Sequence, residues 1–289
     1  MPQDKYTAVW VSHTSISDYQ HCPRAYYLNN VYKDPKTGHK IQLMSPALAL
    51  GQIVHEVLES LSVLPSDKRF STKLTDRFEK LWSKVSGQKG GFFDDEVEHH
   101  YLERGKQMLR NVEKNPGPLT KLAVKIQEEL PHYWLSDQDN IILCGKIDWL
   151  EYLPDEDAVH IIDFKTGKKR EDDDSLQLPI YHLLVANVQK RKVAGASYWY
   201  LNEDEQLTKK ELPDLETAKE QVLQIAKKIK TARKLEHFKC PSGDAGCRYC
   251  KPLEAVVRGE AICVGTSEYG QDIYVMPKSK DSKEEAIIL

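Results

Sequence analysis

The feature that most constrains the fold of this 289-residue chain is a pair of apolar segments joined by the turn sequence Pro-Asp-Glu-Asp at 154–157. Such a turn favours an antiparallel hairpin. If the hairpin is centred on the turn, Asp148 lies directly opposite Asp163, with Cβ atoms about 5 Å apart. Side chains alternate along a strand, so Lys165 shares a face with Asp163. The opposite face carries apolar residues that can serve a core: Ile147, Trp149, Ile162 and Phe164.

The two facing carboxylates and the lysine form a chemically specific group. Carboxylates this close repel each other, at a cost of about 1 kcal/mol or more when they are partly desolvated. A bound divalent cation removes that cost, and Lys165 can then stabilise charge on a phosphate or orient a water molecule. The pattern favours metal-assisted phosphodiester hydrolysis. A surface hairpin with scattered charges is the alternative interpretation.

The rest of the chain predicts helices packed around a mixed sheet. Apolar residues at three- and four-residue steps predict helices at 46–64, 174–191 and 216–235, and two short helices within 12–32 that break at Cys22-Pro23-Arg24. A helical insert is predicted over 66–118. Strands are predicted at 124–130, 141–152, 158–164, 196–201 and 206–212. The fold class is therefore α/β (α+β), with one domain over 1–265 and a tail over 266–289 that is mobile at about 278–283.

Charge and hydropathy narrow the class of protein. The 41 basic and 44 acidic residues give a net charge of −3, which excludes a protein whose whole surface is basic but leaves room for a local basic groove. The chain has no apolar run of about 18 residues, so no membrane span is expected. The first residues do not resemble a signal peptide, and a cytoplasmic location is expected.

Cysteines form a second chemically specific group. Cys240, Cys247 and Cys250 lie in one glycine-containing loop at 240–250, and clustered cysteines in a cytosolic chain suggest metal binding before disulfides. The Cys-x2-Cys pair can bind one metal ion or one cluster, and a fourth ligand must come from elsewhere. Cys22 is the best candidate for it. Cys263 is the alternative to Cys240, and Cys144 is interpreted as a buried free thiol.

Several motifs, in order, resemble the PD-(D/E)XK nucleases of the RecB type. They span about residues 12–255: Ser15–Tyr27 with its Cys-Pro-Arg, Gly51-Gln-Ile-Val-His55, Gly145-Lys-Ile-Asp148, Asp163-Phe-Lys-Thr-Gly167 and Gln177-Leu-Pro-Ile-Tyr181. The resemblance implies a restriction-endonuclease-like mixed central sheet flanked by helices. A subset of these nucleases, including the CRISPR-associated ones, is similar in placing one cysteine before the nuclease motifs and three after.

The resemblance also implies roles for individual residues. His55, Asp148, Asp163 and the Phe164 carbonyl would bind Mg²⁺ or Mn²⁺, and Lys165 would position or activate the attacking water. Gln177 and Tyr181, four residues apart on one helix face, would line the site and contact the scissile DNA strand. A [4Fe-4S] cluster would be held by four cysteines: Cys22, Cys240, Cys247 and Cys250. Structural Zn²⁺ is the alternative metal.

The predicted function is metal-dependent DNA cleavage, most simply by an exonuclease acting on single strands or frayed ends in repair, recombination or CRISPR-type processing. The basic run Lys168–Arg170 could contact phosphates, or could be a solvated turn balanced by nearby acids. The chain has no Gly-x4-Gly-Lys-Ser/Thr motif, so a helicase, or a CRISPR-type protein, would be a partner chain. The rival interpretation is a catalytically silent DNA-binding or scaffold subunit of such a complex.

Overall fold

The structure is a computed structural model that describes residues 4–203 and 206–277. The helices are α1 (His13–His21), α2 (Pro23–Asn30), α3 (Pro46–Glu59), α4 (Leu74–Trp82), α5 (Asp95–Lys114), α6 (Gln177–Val188), α7 (Leu215–Lys234) and α8 (Lys251–Val257). The strands are β1 (Val9–Val11), β2 (Lys40–Met44), β3 (His132–Ser136), β4 (Ile141–Cys144), β5 (Trp149–Leu153), β6 (Ala158–Lys165), β7 (Lys192–Tyr200), β8 (Thr208–Lys210), β9 (Ile262–Thr266) and β10 (Gln271–Val275). Within the described residues, no helix is both long and apolar enough to cross a membrane.

The central sheet contains the predicted hairpin. Its strand order is β5-β6-β7-β8, and β6 and β7 are parallel because α6 connects them. The register pairs Trp149 with Ile162 and Leu153 with Ala158. This is the register expected from a hairpin centred on the turn at 154–157, so the pairing prediction is confirmed, and β8 pairs with β7 as expected. The mixed sheet flanked by helices confirms the predicted fold class.

Both faces of the central sheet are covered by a hydrophobic core. Trp149, Ile162 and Phe164 pack on one face with α3 and the helical insert. Leu150, Ile161 and other residues on the opposite face pack with α6 and α7. Ile147 was expected on the first face but packs with the second core. Strand alternation does not apply to it, because β5 begins only at Trp149.

The other strands form two smaller sheets that the sequence did not predict correctly. The segment 124–130 is not a strand, and 141–152 divides into β4 and β5, which belong to different sheets. β4 pairs with β1 and β3, and β10 pairs in parallel with β2 and antiparallel with β9. The proposed tail from 266 thus contains a paired strand, while the stretch 278–283 that was expected to be mobile lies outside the described residues.

Local sequence explains the N-terminal helices. Ser12 and Ser15 form a reciprocal capping box that starts α1. The chain is extended at Cys22, and Pro23 then begins α2, where its missing N–H costs no hydrogen bond. The predicted break between two short helices is therefore confirmed.

The helical insert is joined to the fold through one buried arginine. The Arg69 guanidinium donates hydrogen bonds to the carbonyls of Leu61 and Leu64 before α4, and to those of Leu119 and Lys121 after α5. Arg69 is only 4% exposed, so these bonds satisfy a charge that would otherwise be costly to bury. The entry and exit of the insert are thereby held side by side.

Candidate active site and four-cysteine site

The hairpin brings its two carboxylates to the same end of the central sheet. Asp148 lies just before β5, and its Oδ2 accepts a hydrogen bond from the Phe164 backbone N–H at 2.8 Å. Asp163 is 2% exposed on β6, and its Oδ1 accepts a hydrogen bond from Gln177 Nε2 at 2.8 Å. The hydrogen bond from the Phe164 N–H therefore holds the Asp148 carboxylate beside the end of β6 that carries Asp163.

Helix α3 adds two more side chains next to Asp148. The Nδ1 atom of His55 lies 3.3 Å from Asp148 Oδ1. Glu59 follows His55 by one helical turn, and ligand atoms of His55, Glu59 and Asp148 all lie within 4.8 Å of one another. Glu59 also pairs with Lys146. One imidazole and two carboxylates thus converge at the end of the hairpin, and Asp163 is not a member of this group.

Lys165 is the cation on the other side of Asp163. Its Nζ lies 3.1 Å from Asp163 Oδ2 and 2.9 Å from Glu171 Oε1, and it donates a hydrogen bond to Gln177 Oε1. The same Nζ lies 4.9 Å from the centre of the Tyr198 ring, a cation–π contact. These contacts fix the ammonium beside the carboxylates, on the face that strand alternation predicted.

The pKa values at this site reflect the burial and mutual repulsion of its carboxylates. Burial and the neighbouring charge of Asp148 raise the pKa of Asp163 well above its ordinary value. Burial would lower the pKa of His55, but the adjacent Asp148, with Asp163 and Glu59 behind it, raises it to about 9. Burial likewise opposes the charge on Lys165, yet Asp163 and Glu171 raise its pKa. The carboxylates therefore raise the pKa of both His55 and Lys165, which favours the charged form of each side chain.

The donor set fits a small divalent cation. Asp163 Oδ2 is buried and, apart from its ion pair with Lys165, has no hydrogen-bond partner among the described residues. Carboxylate oxygens suit Mg²⁺ and Mn²⁺, and an imidazole nitrogen suits Mn²⁺. The Phe164 side chain is buried in the core, and the metal-binding role of its carbonyl stays a prediction.

Gln177 and Tyr181 lie on the first turns of α6, directly against the carboxylates. The Gln177 amide bridges Lys165 and Asp163, and its Nε2 also lies 3.3 Å from the Tyr181 hydroxyl. Burial and the two aspartates raise the pKa of Tyr181 well above its ordinary value. The Tyr181 hydroxyl is therefore neutral, and it accepts the hydrogen bond of Gln177.

The structure adds residues that sequence reasoning missed. Glu59 lies four positions after His55 on α3, a spacing that identifies one helix face and could have revealed it. Glu171 is the second acidic partner of Lys165. It was interpreted only as a counter-charge to the basic turn, and no local pattern shows that the loop at 166–176 folds back onto β6.

The positive charges of the basic turn after β6 are largely balanced by acidic side chains. Lys169 pairs with Asp172 at 3.1 Å and Arg170 with Glu203 at 3.8 Å. Arg170 also stacks on the Tyr200 ring at 4.7 Å. The aromatic residues of β7 that could have stacked on bases, Tyr198, Trp199 and Tyr200, are at most 3% exposed and belong to the core.

Four cysteines meet between α2, the loop at 240–250 and α8. The Sγ atoms of Cys22, Cys240, Cys247 and Cys250 all lie within 4.8 Å of one another. Cys263 is exposed on β9, and Cys144 is buried in β4 away from this group. The grouping is the one the sequence indicated, with Cys240 and not Cys263 as a member; ligation itself stays a prediction.

The thiols fit a thiolate-bound metal centre. Cys250 Sγ lies 3.8 Å from Cys240 Sγ and 3.9 Å from Cys247 Sγ. A tetrahedral ion with Zn–S bonds of about 2.3 Å places its sulfurs about 3.8 Å apart. The observed spacing matches a single tetrahedral ion, and the thiols would have to spread to enclose a larger [4Fe-4S] cluster.

Comparison with known proteins identifies the class that this fold and site define. A family model described as the PD-(D/E)XK nuclease superfamily matches residues 10–253. The chain belongs to the PD-(D/E)XK nuclease superfamily, which implies metal-dependent nuclease activity on DNA. A search of curated proteins finds no significant match.

Proposed function

We propose that the chain is a Mg²⁺- or Mn²⁺-dependent deoxyribonuclease that acts as an exonuclease on single-stranded or frayed DNA ends. The observation that carries this proposal is the convergence of Asp148, Asp163, Lys165 and His55 at one end of the central sheet. A scaffold subunit with a silent site would have no need to hold two repelling carboxylates at the same end of the sheet.

The proposed roles follow from the contacts of each side chain. Asp148 and Asp163, together with His55, would hold the cation, with Glu59 within reach of the same position. The cation would supply Lewis-acid stabilisation of the charge that develops on the scissile phosphate. The ammonium of Lys165 would orient the attacking water and stabilise phosphate oxygen charge.

Gln177 and Tyr181 would support this arrangement from α6. Gln177 holds Asp163 and Lys165 in fixed relative positions through both ends of its amide. The neutral Tyr181 hydroxyl would donate a hydrogen bond to the scissile strand. Glu171 would keep Lys165 charged and aimed at Asp163.

We propose a [4Fe-4S] cluster for the four-cysteine site, on the resemblance to the CRISPR-associated nucleases. The sulfur spacing favours the alternative, a single zinc ion. In either case the centre would be structural, joining the start of the domain to its end. Iron, sulfide and zinc analysis of protein purified without oxygen decides between them: about four irons and four sulfides, with a brown colour, support the cluster, and one zinc in colourless protein overturns it.

Cleavage of end-labelled DNA tests the proposed activity. Single-stranded, blunt duplex and frayed duplex substrates are incubated with Mg²⁺, with Mn²⁺ or with a chelator. Progressive shortening from one end, dependent on metal, is the expected result. Metal-dependent cleavage at internal positions of a circular single strand would overturn the exonuclease assignment, and no cleavage of any substrate would favour the silent scaffold subunit.

A further inference from the structure

The carbonyl of Thr166, the residue that follows Lys165, is held by a side chain of the helical insert. Arg104 of α5 donates a hydrogen bond from Nη2 to this carbonyl at 2.6 Å, and a second from Nε to Asn202 Oδ1 at 3.4 Å. Asn202 in turn donates from Nδ2 to the carbonyl of Thr166 at 3.2 Å and to that of Gly167 at 3.5 Å. One guanidinium therefore binds the chain just beyond β6 and orients the amide that binds it again.

Thr166 also lies against α3, the helix that carries His55. A Cβ atom at Gly51 would lie 3.2 Å from Thr166 Oγ1, so a side chain at this position of α3 would crowd the end of β6. His55 follows Gly51 by four residues and therefore lies on the same face of the helix. Thr166 is thus fixed between a helix of the active site and a helix of the insert.

The segment 166–176 begins at this anchor and folds back onto β6 through Glu171. Glu171 Oε1 lies 2.9 Å from Lys165 Nζ, and the Glu171 backbone N–H donates a hydrogen bond to the Tyr200 hydroxyl at 3.1 Å. The segment lies between β6 and α6 and is irregular, so contacts with side chains set its path. The position of the Glu171 carboxylate beside the Lys165 ammonium therefore depends on where the segment starts.

We propose that Arg104 is a positioning residue for DNA cleavage, because it fixes the start of the segment whose Glu171 aims the Lys165 ammonium; this rests on the proposed nuclease function. A guanidinium suits this role, since it presents several donors in a rigid fork, whereas an ammonium is a single point charge. A shift of a reacting group by about 1 Å can lower a rate by about 10²-fold. The helical insert would then contribute to the geometry of the site.

Hydrogen exchange of the Glu171 amide tests this anchor without cleavage. Arg104→Met keeps an apolar stem but removes the guanidinium, and Arg104→Lys keeps the charge but not the fork. In a chelator, both variants are expected to exchange this amide about tenfold faster than wild type, because a hydrogen bond from a charged donor corresponds to about tenfold in an opening equilibrium. Arg110→Met is the matched control: Arg110 lies on the same helix, is half exposed and pairs with Glu103. It should exchange the amide at the wild-type rate.

Cleavage of a short end-labelled single strand with Mg²⁺ distinguishes positioning from DNA binding. In both Arg104 variants the maximal single-turnover rate is expected to fall by about 10–100-fold, while the protein concentration that gives half of this rate stays unchanged. A direct phosphate contact would give the opposite pattern. Arg104→Met would then need more protein to reach half of an unchanged maximal rate, and Arg104→Lys would restore the wild-type value.

Three results would overturn the inference: unchanged exchange of the Glu171 amide in folded Arg104→Met, the pattern of a phosphate contact, or wild-type rates in Arg104→Lys. Should Arg104→Met fail to fold, the same measurements on Arg104→Lys decide. Failure of the nuclease proposal is distinguishable, since wild-type protein would then cleave with neither Mg²⁺ nor Mn²⁺. Cleavage by wild type together with unchanged exchange in the variants would overturn only the role of Arg104.

Discussion

The carboxylate site and the four-cysteine site are both built from residues that lie apart in sequence, but over very different distances. Three members of the first, Asp148, Asp163 and Lys165, come from a single hairpin. The second joins Cys22 to Cys247, 225 positions away. A hairpin register is fixed by local pairing, whereas closing so long a loop costs the unfolded chain much more entropy. The first site should therefore survive loss of its metal, and the second should not.

The two sites also differ in how they balance charge without metal. His55 and Lys165 supply positive charge to the carboxylates. Among the thiols, burial raises the pKa of Cys22 to about 12, so that this thiol stays protonated at neutral pH, whereas at Cys247 burial is outweighed by hydrogen bonds from the Cys250 and Tyr249 backbone, which lower its pKa to about 7. A metal would thus replace charges already present at one site, and would create thiolates at the other.

Substitutions in the hairpin are expected to have the largest effect, which is on the rate of DNA cleavage. Asp148→Ala, Asp163→Ala and Lys165→Ala should each lower the rate by about 10²–10³-fold or more, because each removes charge stabilisation at the reacting phosphate. For Asp163→Ala the melting temperature should hardly fall, since this substitution also relieves the repulsion between the carboxylates. Single-turnover cleavage and thermal unfolding check this. Asp155→Ala in the exposed turn is the control, and wild-type cleavage by any of the three variants would refute the assignment.

Substitutions of the four clustered cysteines are expected to have the second-largest effect, which is on the free energy of unfolding. Serine at any one of Cys22, Cys240, Cys247 or Cys250 should destabilise the whole domain by about 3–5 kcal/mol in the chain-entropy view of a cross-link, with loss of bound metal. Cleavage would then be lost through unfolding. Metal content and denaturant unfolding measure it, and Cys144→Ser and Cys263→Ser are the matched controls. If Cys263→Ser loses the metal and Cys240→Ser keeps it, the ligand set is wrong.

His55 should tune the choice of metal more than the fold. His55→Ala is expected to lower cleavage with Mn²⁺ by about tenfold or more, because imidazole suits Mn²⁺ better than Mg²⁺. Rates measured across a series of Mn²⁺ concentrations check this. Equal Mn²⁺-dependent rates in variant and wild type would show that His55 binds no metal.

The smallest expected effect comes from substitution of His160. This residue lies on β6 at the end of the hairpin away from Asp163, and it contacts neither site. Its Nε2 lies 2.9 Å from Ser197 Oγ, and burial lowers its pKa, with Lys209 and Lys121 also lowering it and Glu151 opposing them. A histidine pKa below the unfolded value stabilises the fold above about pH 6.5 and loses that contribution as pH falls. The melting temperature should therefore fall more in wild type than in His160→Gln between pH 7 and 5. An identical pH dependence in both proteins would contradict this.

Local features of the fold could be predicted from sequence, and long-range ones could not. The turn at 154–157 was sufficient to predict the pairing of Trp149 with Ile162. Nothing local indicates that β2 pairs with β10, more than 220 residues later, because the only partner of β10 that is near it in sequence is β9, and β2 has none. The error at Ile147 has a physical cause: the chain is not a regular strand before Trp149, so alternation does not set its direction.

The candidate site shows the same limit. Gln177 and Tyr181 lie four residues apart on the regular helix α6, so the sequence spacing alone predicted that they share one face. Glu171 sits in an irregular loop whose path depends on its contact with Lys165, and no periodicity describes it. The path of the chain after the helical insert could not be predicted either, because the segment 124–130 was expected to be a strand and is irregular.

The contacts of Arg69 have a consequence for how this protein can vary. Because one guanidinium binds the backbone on both sides of the helical insert, the chain leaves and re-enters the main body at a single point. The insert also packs back on the main body: the turn at 87–91 lies against Ser45 and Pro46 at the start of α3, and Arg104 of α5 donates a hydrogen bond to the Thr166 carbonyl just after β6. A change in the length of the insert would therefore be transmitted to the end of β6, one residue from Lys165.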